Sequence, residues 1–439
     1  MNRHSTRSGL LNTMQRPSIL MHATGFSTGD SDTVNLGDWA QQLRALRLLR
    51  QLFPKHRIVA IANSLKERQP DECDELTAEL ARYLVGRVGS RSGRLLMGVR
   101  AVMLLFVASA RRWLGVEWVG YDGRAVLDRV SECDFVFYSG AGSLNDKYLR
   151  GVAALWLITA LLARTLGKPV VLLGQQIGPL SSPLGRMFFR WSMSDVLFLG
   201  CRDRESVTLS EQIGLDPQSV QFTGDEGAYL PPAPWSKGLT LLQGLGVRPG
   251  YVAVHFRLDS NSPFQDSTHW LADVINRIIA DVSADVLLVP MAYRGAGDDR
   301  VALQRLSPLL NTSCVLLECE DPALVKACLA HASLAVGVAN HFIVFAASVG
   351  VPSVGIHATE YMRQKLQGAG ECFPHVLSVG CESLDSAALA KAAISMTRPP
   401  GECALPAGYA MELPKGYWGW LDRLADHGIT ADRPGQGEA

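Results

Sequence analysis

Two residues in this sequence are placed to do chemistry, and each follows a short apolar run. Arg202 opens the charged burst Arg202-Asp203-Arg204-Glu205, which follows Val196–Leu199 after Gly200 and Cys201. His341 closes Gly337-Val338-Ala339-Asn340-His341, after the run that begins at Leu334. A guanidinium at the carboxyl end of a strand is suited to bidentate capture of a carboxylate or phosphate. The competing reading of Arg202 is a surface salt-bridge cluster, the usual fate of a charge run; Arg204 reads as solvated, and Asp203 or Ser206 as a cap for the next helix. An imidazole at a strand-to-helix turn can give or take a proton near neutral pH, although a lone histidine also serves in a core.

Three further groups have the right chemistry. Asn35-Leu36-Gly37-Asp38 lies where a loop enters a helix, so Asn35 and Asp38 either cap that helix or sit beside free amides that attract an anion. Gly140-Ala141-Gly142 follows the strand Phe135–Tyr138, and small residues there let a ligand approach the backbone. Gln175 and Gln176 end another strand, where amides suit sugar hydroxyls or phosphate oxygens but also satisfy loop backbone. No H-E-x-x-H, P-loop or G-x-S-x-G is present, and the His and carboxylate spacing supports no metal site.

The elements that hold these groups alternate between buried strand and helix. Phe135–Tyr138, Val170–Gly174, Val196–Leu199 and Val220–Phe222 are apolar runs bounded by Gly or small polar residues, the pattern of parallel strands covered on both faces. Helical spacing covers Trp39–Phe53, Tyr148–Leu166 and Pro183–Ser194, and most of 66–132 reads as helix, with a loose Gly/Arg/Ser segment at Gly86–Gly93. A second βα series starts at Tyr251–Phe256, with Arg257 at its end. It continues through Val286–Pro290, a loop at Met291–Asp298, helices Asp299–Leu310 and Pro322–His331, the strand Leu334–Val338 and the helix Phe342–Val349. Pro231-Pro232-Ala233-Pro234 separates the two series. The expected organisation is a tail at 1–16, an α/β domain at 17–230, a linker at 231–247, an α/β domain at 248–429 and a tail at 430–439. The helix Tyr417–Leu424 is expected to pack back on the first domain. In both domains the site belongs in the crevice beyond the strand carboxyl ends.

Composition sets outer limits. The 439 residues balance 42 basic against 42 acidic side chains, which argues against nucleic acid or an anionic membrane as the main partner. Nine cysteines without C-x-x-C pairs suit a reducing, cytoplasmic setting. Ala101–Ala110 and Val152–Ala163 are apolar but far short of the roughly 20 residues that span a bilayer. The first is flanked by Arg100, Arg111 and Arg112, as in helices that lie on a membrane surface.

The ordered set of segments resembles the polysaccharide pyruvyl transferase family over roughly Ile19 to Leu366. It comprises Asn35-Leu36-Gly37-Asp38, Gly140-Ala141-Gly142, Gly167-Lys168-Pro169, Gly174-Gln175-Gln176-Ile177-Gly178-Pro179, Arg202-Asp203 with Ser206, Thr223-Gly224-Asp225 and the run Val336–Gly355. The resemblance implies two Rossmann-like doubly wound domains in a GT-B-like arrangement with the active site between them. It implies transfer of pyruvate from phosphoenolpyruvate, with no cofactor, onto two hydroxyls of a sugar or glycan acceptor, lipid-linked or not. In that reading Arg202 anchors the donor and His341 is the general acid or a phosphate ligand. Asp38 or Asp225 orients or deprotonates the acceptor, and Asn35, Gly140, Gly142, Gln175, Gln176, Asp225, Arg257, Asn340 and Lys365 bind substrate. The family's arginine–apolar–histidine tripeptide reads Ala339-Asn340-His341 here, so its arginine is missing; Arg257, Arg294, Arg363 and Lys365 are the available substitutes. A GT-B-type glycosyltransferase using a sugar nucleotide and a non-catalytic binding protein on the same fold are the alternatives.

Overall fold

The computed structural model describes residues 16–23, 34–62, 69–84, 91–116, 123–149, 151–258, 268–381, 385–399 and 411–432. The expected tails, apart from residues 16 and 430–432, and most of the loop before Asn35 lie outside these residues. The first half runs β1 (Ser18–His22), β2 (Val34–Asn35), α1 (Leu36–Leu52), β3 (Arg57–Ile61), β4 (Glu75–Thr77), α2 (Glu79–Leu84), α3 (Arg91–Leu114), α4 (Arg124–Glu132), β5 (Phe135–Tyr138) and β6 (Ala141–Leu144). It continues through α5 (Val152–Thr165), β7 (Val170–Ile177), α6 (Pro183–Met193), β8 (Phe198–Cys201), α7 (Arg204–Ile213) and β9 (Val220–Phe222). The second half holds α8 (Trp235–Gly244), β10 (Val252–His255), α9 (Thr268–Val282), β11 (Val286–Leu288), β12 (Ala292–Tyr293), α10 (Asp299–Leu306), β13 (Cys314–Leu316) and α11 (Pro322–Leu329). After these come β14 (Leu334–Gly337), α12 (Asn340–Ser348), β15 (Ser353–His357), α13 (Glu360–Cys372), β16 (Val376–Gly380), α14 (Ser386–Met396) and α15 (Gly419–Asp426).

Two parallel sheets result. The first has the order β4-β3-β1-β5-β7-β8-β9, with β6 beside β7, and the second β13-β11-β10-β14-β15-β16. Their central strands are buried along their whole length, as parallel strands covered on both faces must be. Each sheet has an apolar core on either face: one pair holds Trp156 and Leu199 against Phe137 and Trp420, the other Phe345 and Leu287 against Ile275 and Val336. This is the expected pair of doubly wound α/β units. Strand order reverses between β1 and β5 in one sheet and between β10 and β14 in the other, and ligands collect at such switch points.

Several local expectations change. Gly140-Ala141-Gly142 is not simply a loop: β6 begins at Ala141 and pairs with β7, with a register shift between Ala141 and Leu144. The stretch 66–132 contains β4, which extends the sheet beside β3. The proline-rich stretch leads into α8, which packs against α11, because Pro stops one element yet is tolerated at the start of another helix. The expected loop Met291–Asp298 contains β12, which pairs antiparallel with β2. α1 starts three residues early because Asn35 caps it, accepting from the Gly37 and Asp38 amides. α15 does pack back on the first sheet, where Trp420 lies 5.8 Å from Phe137 and 6.2 Å from Phe53.

Candidate active site in the interdomain cleft

The β2–β12 ribbon joins the two halves where they form a cleft. It pairs Asn35 with Ala292, and the Leu36 amide donates to Met291 O at 2.9 Å. α1 is thereby launched from a two-stranded ribbon separate from both main sheets, with Asn35 and Asp38 at its start lining the cavity. The cleft encloses about 600 Å³; Asn35, Asp38, Gly142 and Lys147 line one wall, and Arg257, Ala339, Asn340, His341, Tyr361 and Lys365 the other.

His341 sits in the first turn of α12, whose remaining turns are wholly buried in the second core. α12 has no side-chain cap, so the unpaired amides of its first turn open at the cleft. The imidazole lies against Gly37 of the opposite half: a Cβ added at Gly37 would fall 1.8 Å from Nδ1. Glycine is required there by close approach, which physically links the two motifs. On its other side, His341 Nε2 lies 3.5 Å from Asp225 Oδ2.

Asp225 is the buried hub beneath the cleft. Its Oδ1 accepts from Gln41 Nε2 at 3.0 Å and from the Gly227 amide at 2.9 Å. Its Oδ2 accepts from Arg202 Nη1 and Asn340 Nδ2, both at 3.4 Å. Burial pushes its pKa up, but His341, Arg202 and the Gly227 amide outweigh this and hold the carboxyl well below the usual range. Arg202 is 3% exposed and does not line the cavity. Its other Nη donates to Gln176 Oε1, and the guanidinium underlies Gly142. Gln176 also donates to Gln364 on α13, and Gln364 reaches back to Asp203 Oδ1 at 3.1 Å. These charged and amide groups satisfy one another across the two halves. Asp203 caps α7, and Arg204 lies over the Phe222 ring.

Other expected site residues lie elsewhere. Gln175 is fully buried and donates to Ser139 O and Leu173 O, satisfying backbone inside the sheet. Gly140 backs onto Gln41 and Glu226 rather than the cavity. Arg294 pairs with Glu320, and Arg363 with Glu205 and Glu360; neither lines the cleft.

The second wall carries two cavity-lining cations, Arg257 and Lys365, opposite Lys147 of the first. Arg257 donates from Nε and Nη2 to both oxygens of Asp299, at 2.6 and 3.0 Å. Asp299 is buried and also takes His255 Nε2 at 3.1 Å and the amides of Met291 and Ala292 at 2.9 and 2.7 Å. The sequence reading missed this anchor; its only local signal was the pair Asp298-Asp299 at a helix start. Arg257 follows His255 by two residues, just as Ala339 follows Gly337, and His255 and Gly337 are partners in the β10–β14 ladder. Arg257 therefore stands beside Ala339, one strand over at the switch point. Lys365 lies over the Tyr361 ring at 4.1 Å, and Tyr361 Oη donates to Gly142 O across the cleft at 3.1 Å. Burial, with Arg202 and Arg257 nearby, pulls the Lys365 ammonium down to about 7. Among the described residues no group of His, Cys, Asp and Glu forms a metal cluster.

Comparisons with known proteins agree with this fold. The solved UDP-GlcNAc 2-epimerase of Methanocaldococcus jannaschii matches at 12% identity with a TM-score of 0.52, over 92% of this chain and 96% of its own. The UDP-GlcNAc 2-epimerase of Neisseria meningitidis, solved with UDP-GlcNAc bound, matches at 11% identity with a TM-score of 0.51, over 85% and 90%. At such identities the likeness is one of fold, two Rossmann-like domains in the GT-B arrangement. No curated protein sequence matches significantly. The model of the polysaccharide pyruvyl transferase family matches residues 35–357, from the Asn35 cap to the end of β15. With its motifs gathered on one cleft and most of its length covered, the chain belongs to the polysaccharide pyruvyl transferase family.

Proposed function

We propose that this chain transfers the pyruvyl group of phosphoenolpyruvate to two hydroxyls of a sugar or glycan as a ketal. The observation that carries the reading is the meeting of Arg257, Lys365 and His341 in one cavity, over a buried carboxylate that faces the imidazole. Arg257, held by Asp299, supplies a rigid guanidinium for the donor's carboxylate or phosphate. The amides that open α12 add a second anion contact.

The chemistry needs a proton on the methylene carbon, which converts it to methyl and leaves positive character on the central carbon. An acceptor hydroxyl adds there and loses its proton; phosphate leaves with the C–O bonding pair. The second hydroxyl then closes the ketal and loses its own proton. His341, with Asp225 behind Nε2, serves in this reading as the acid or as a phosphate ligand. Lys365 is the neighbouring group able to exchange a proton near neutral pH. Asp38, at the opposite wall, accepts a hydroxyl proton in this reading. General acid–base assistance of this kind contributes about 10²–10⁴ in rate. The expected result for His341→Gln is loss of phosphate release by at least about a hundredfold, with the thermal transition preserved. A variant that turns over at the parent rate removes His341 from the mechanism.

A further inference from the structure

The cleft and its cations leave one large feature unexplained. α3 and α6 both pack on α5, and both turn an apolar stripe outward. Val102, Phe106 and Trp113 on α3 are 68%, 63% and 74% exposed, and Leu184, Met187 and Trp191 on α6 are 71%, 62% and 56% exposed. The spacing +4, +7 on one helix and +3, +4 on the other puts each set on a single face. Leu104, Val107 and Ala108 of α3 are buried on the opposite face and join the first core.

The two stripes adjoin. Arg112 donates to Arg164 O and Thr165 O at the end of α5, and Arg164 in turn reaches Trp191 O. Trp113 and Trp191 therefore flank the same end of α5. An exposed set of large apolar side chains arranged in this way marks an interaction surface.

Charge identifies the partner. α3 contains Arg91, Arg94, Arg100, Arg111 and Arg112 and no acidic residue; α6 contains Arg186 and Arg190 and no acidic residue. The chain as a whole balances 42 basic against 42 acidic side chains, so the basic character is local. Asp128 pairs with Arg111 and Asp195 with Arg164. Arg100, Arg112 and Arg186 are instead held by the neutral carbonyls of Tyr83, Arg164 and Leu180, among other contacts, which leave the positive charge uncancelled. Arg112 lies over the Trp113 ring at 5.1 Å, a basic–aromatic pair suited to a headgroup layer. A second copy is a poor fit, because an isologous contact would oppose one arginine-only helix with another. No described helix is long and apolar enough to cross a membrane.

We infer that the α3–α6 face docks this protein on an anionic lipid bilayer, lying in the headgroup layer without spanning it. The face borders the cleft: Tyr148 and Val152 at the start of α5 and Pro179 just before α6 line the cavity, and Leu149 packs against Gly185 of α6. If the chemistry proposed above holds, a docked chain meets sugars carried by the membrane.

The test uses the full chain and no substrate, so its outcome is independent of the catalytic reading. Sedimentation with phosphatidylcholine vesicles, with and without phosphatidylglycerol, should show binding to the anionic vesicles that weakens as salt rises. The double variant Trp113→Ser/Trp191→Ser should lose about tenfold or more of that binding, with an unchanged circular dichroism spectrum because both side chains are exposed. Equal binding by the double variant, or no binding to anionic vesicles at low salt, overturns the proposal. So does a dimer that the double variant dissociates, since the face would then belong to a second copy.

Discussion

The two walls of the cleft use charge in opposite ways. Beneath the first wall, which shows Asp38 and Lys147 to the cavity, Arg202 is buried between Asp225 and Gln176 under Gly142, and Gln364 ties this cluster to the other half. The second domain presents Arg257, Lys365 and His341 to the cavity and keeps a buried carboxylate, Asp299, behind Arg257. A buried pair is weak evidence for net stability, yet removing one partner strands the other. Substitutions in the buried Arg202–Asp225 cluster should therefore appear in folding, and substitutions of Arg257, Lys365 and His341 in binding and rate.

The largest expected effect on folding follows from Arg202→Ala, which leaves Asp225 buried with one fewer cation. Urea unfolding should show a loss of about 3–5 kcal/mol. A stable Arg202→Ala protein that cannot bind the donor would reverse the contrast and return Arg202 to the substrate.

The next effect concerns Glu226, the neighbour of Asp225. Burial pushes its carboxyl up to about 7 despite the Arg44 charge and the bond from Tyr417 Oη. A raised folded pKa means the native state holds a proton that the unfolded chain releases near 4.5. Its contribution to stability is complete below that value and is lost as pH rises through about 7. Glu226→Gln should remove roughly 3 kcal/mol of this dependence, read from melts across the range. Parallel parent and variant curves would show that the carboxyl is already ionised.

The smallest effect sharpens the second wall. Lys365 is held down to about 7, so it carries its proton below that pH and loses it above. The proposed kcat/KM should fall on the alkaline side of about 7. Lys365→Arg, which stays charged, should abolish that limb; persistence of the limb assigns it to another group.

Much of this arrangement was legible in sequence for a physical reason. Short apolar runs ending in glycine or a polar residue are buried parallel strands, and their carboxyl ends gather around the crevice. This located His341, Asp38 and Arg257 beside one cavity. What escaped depended on partners far away in the chain. Asp299 takes its meaning from Arg257, His255 and two amides, none of which its own neighbourhood announces. β12 is a strand only because β2 lies across from it. The burst around Arg202 resembles a solvated surface run until Asp225 and Gln176, on other segments of the same sheet, are seen to enclose it. Gln175, judged by type and position alone, satisfies backbone instead.

The central claim is that the second wall holds phosphoenolpyruvate although Ala339 replaces the family arginine. Calorimetric titration of phosphoenolpyruvate into the full chain, repeated with Arg257→Lys, tests it most directly. Lysine keeps the charge but loses the fork, while Asp299 retains His255 and two backbone amides. The account predicts saturable binding by the parent and about tenfold weaker binding by the variant. Absence of phosphoenolpyruvate binding, with firm binding of uridine diphosphate, would contradict it and make the cleft a sugar-nucleotide site.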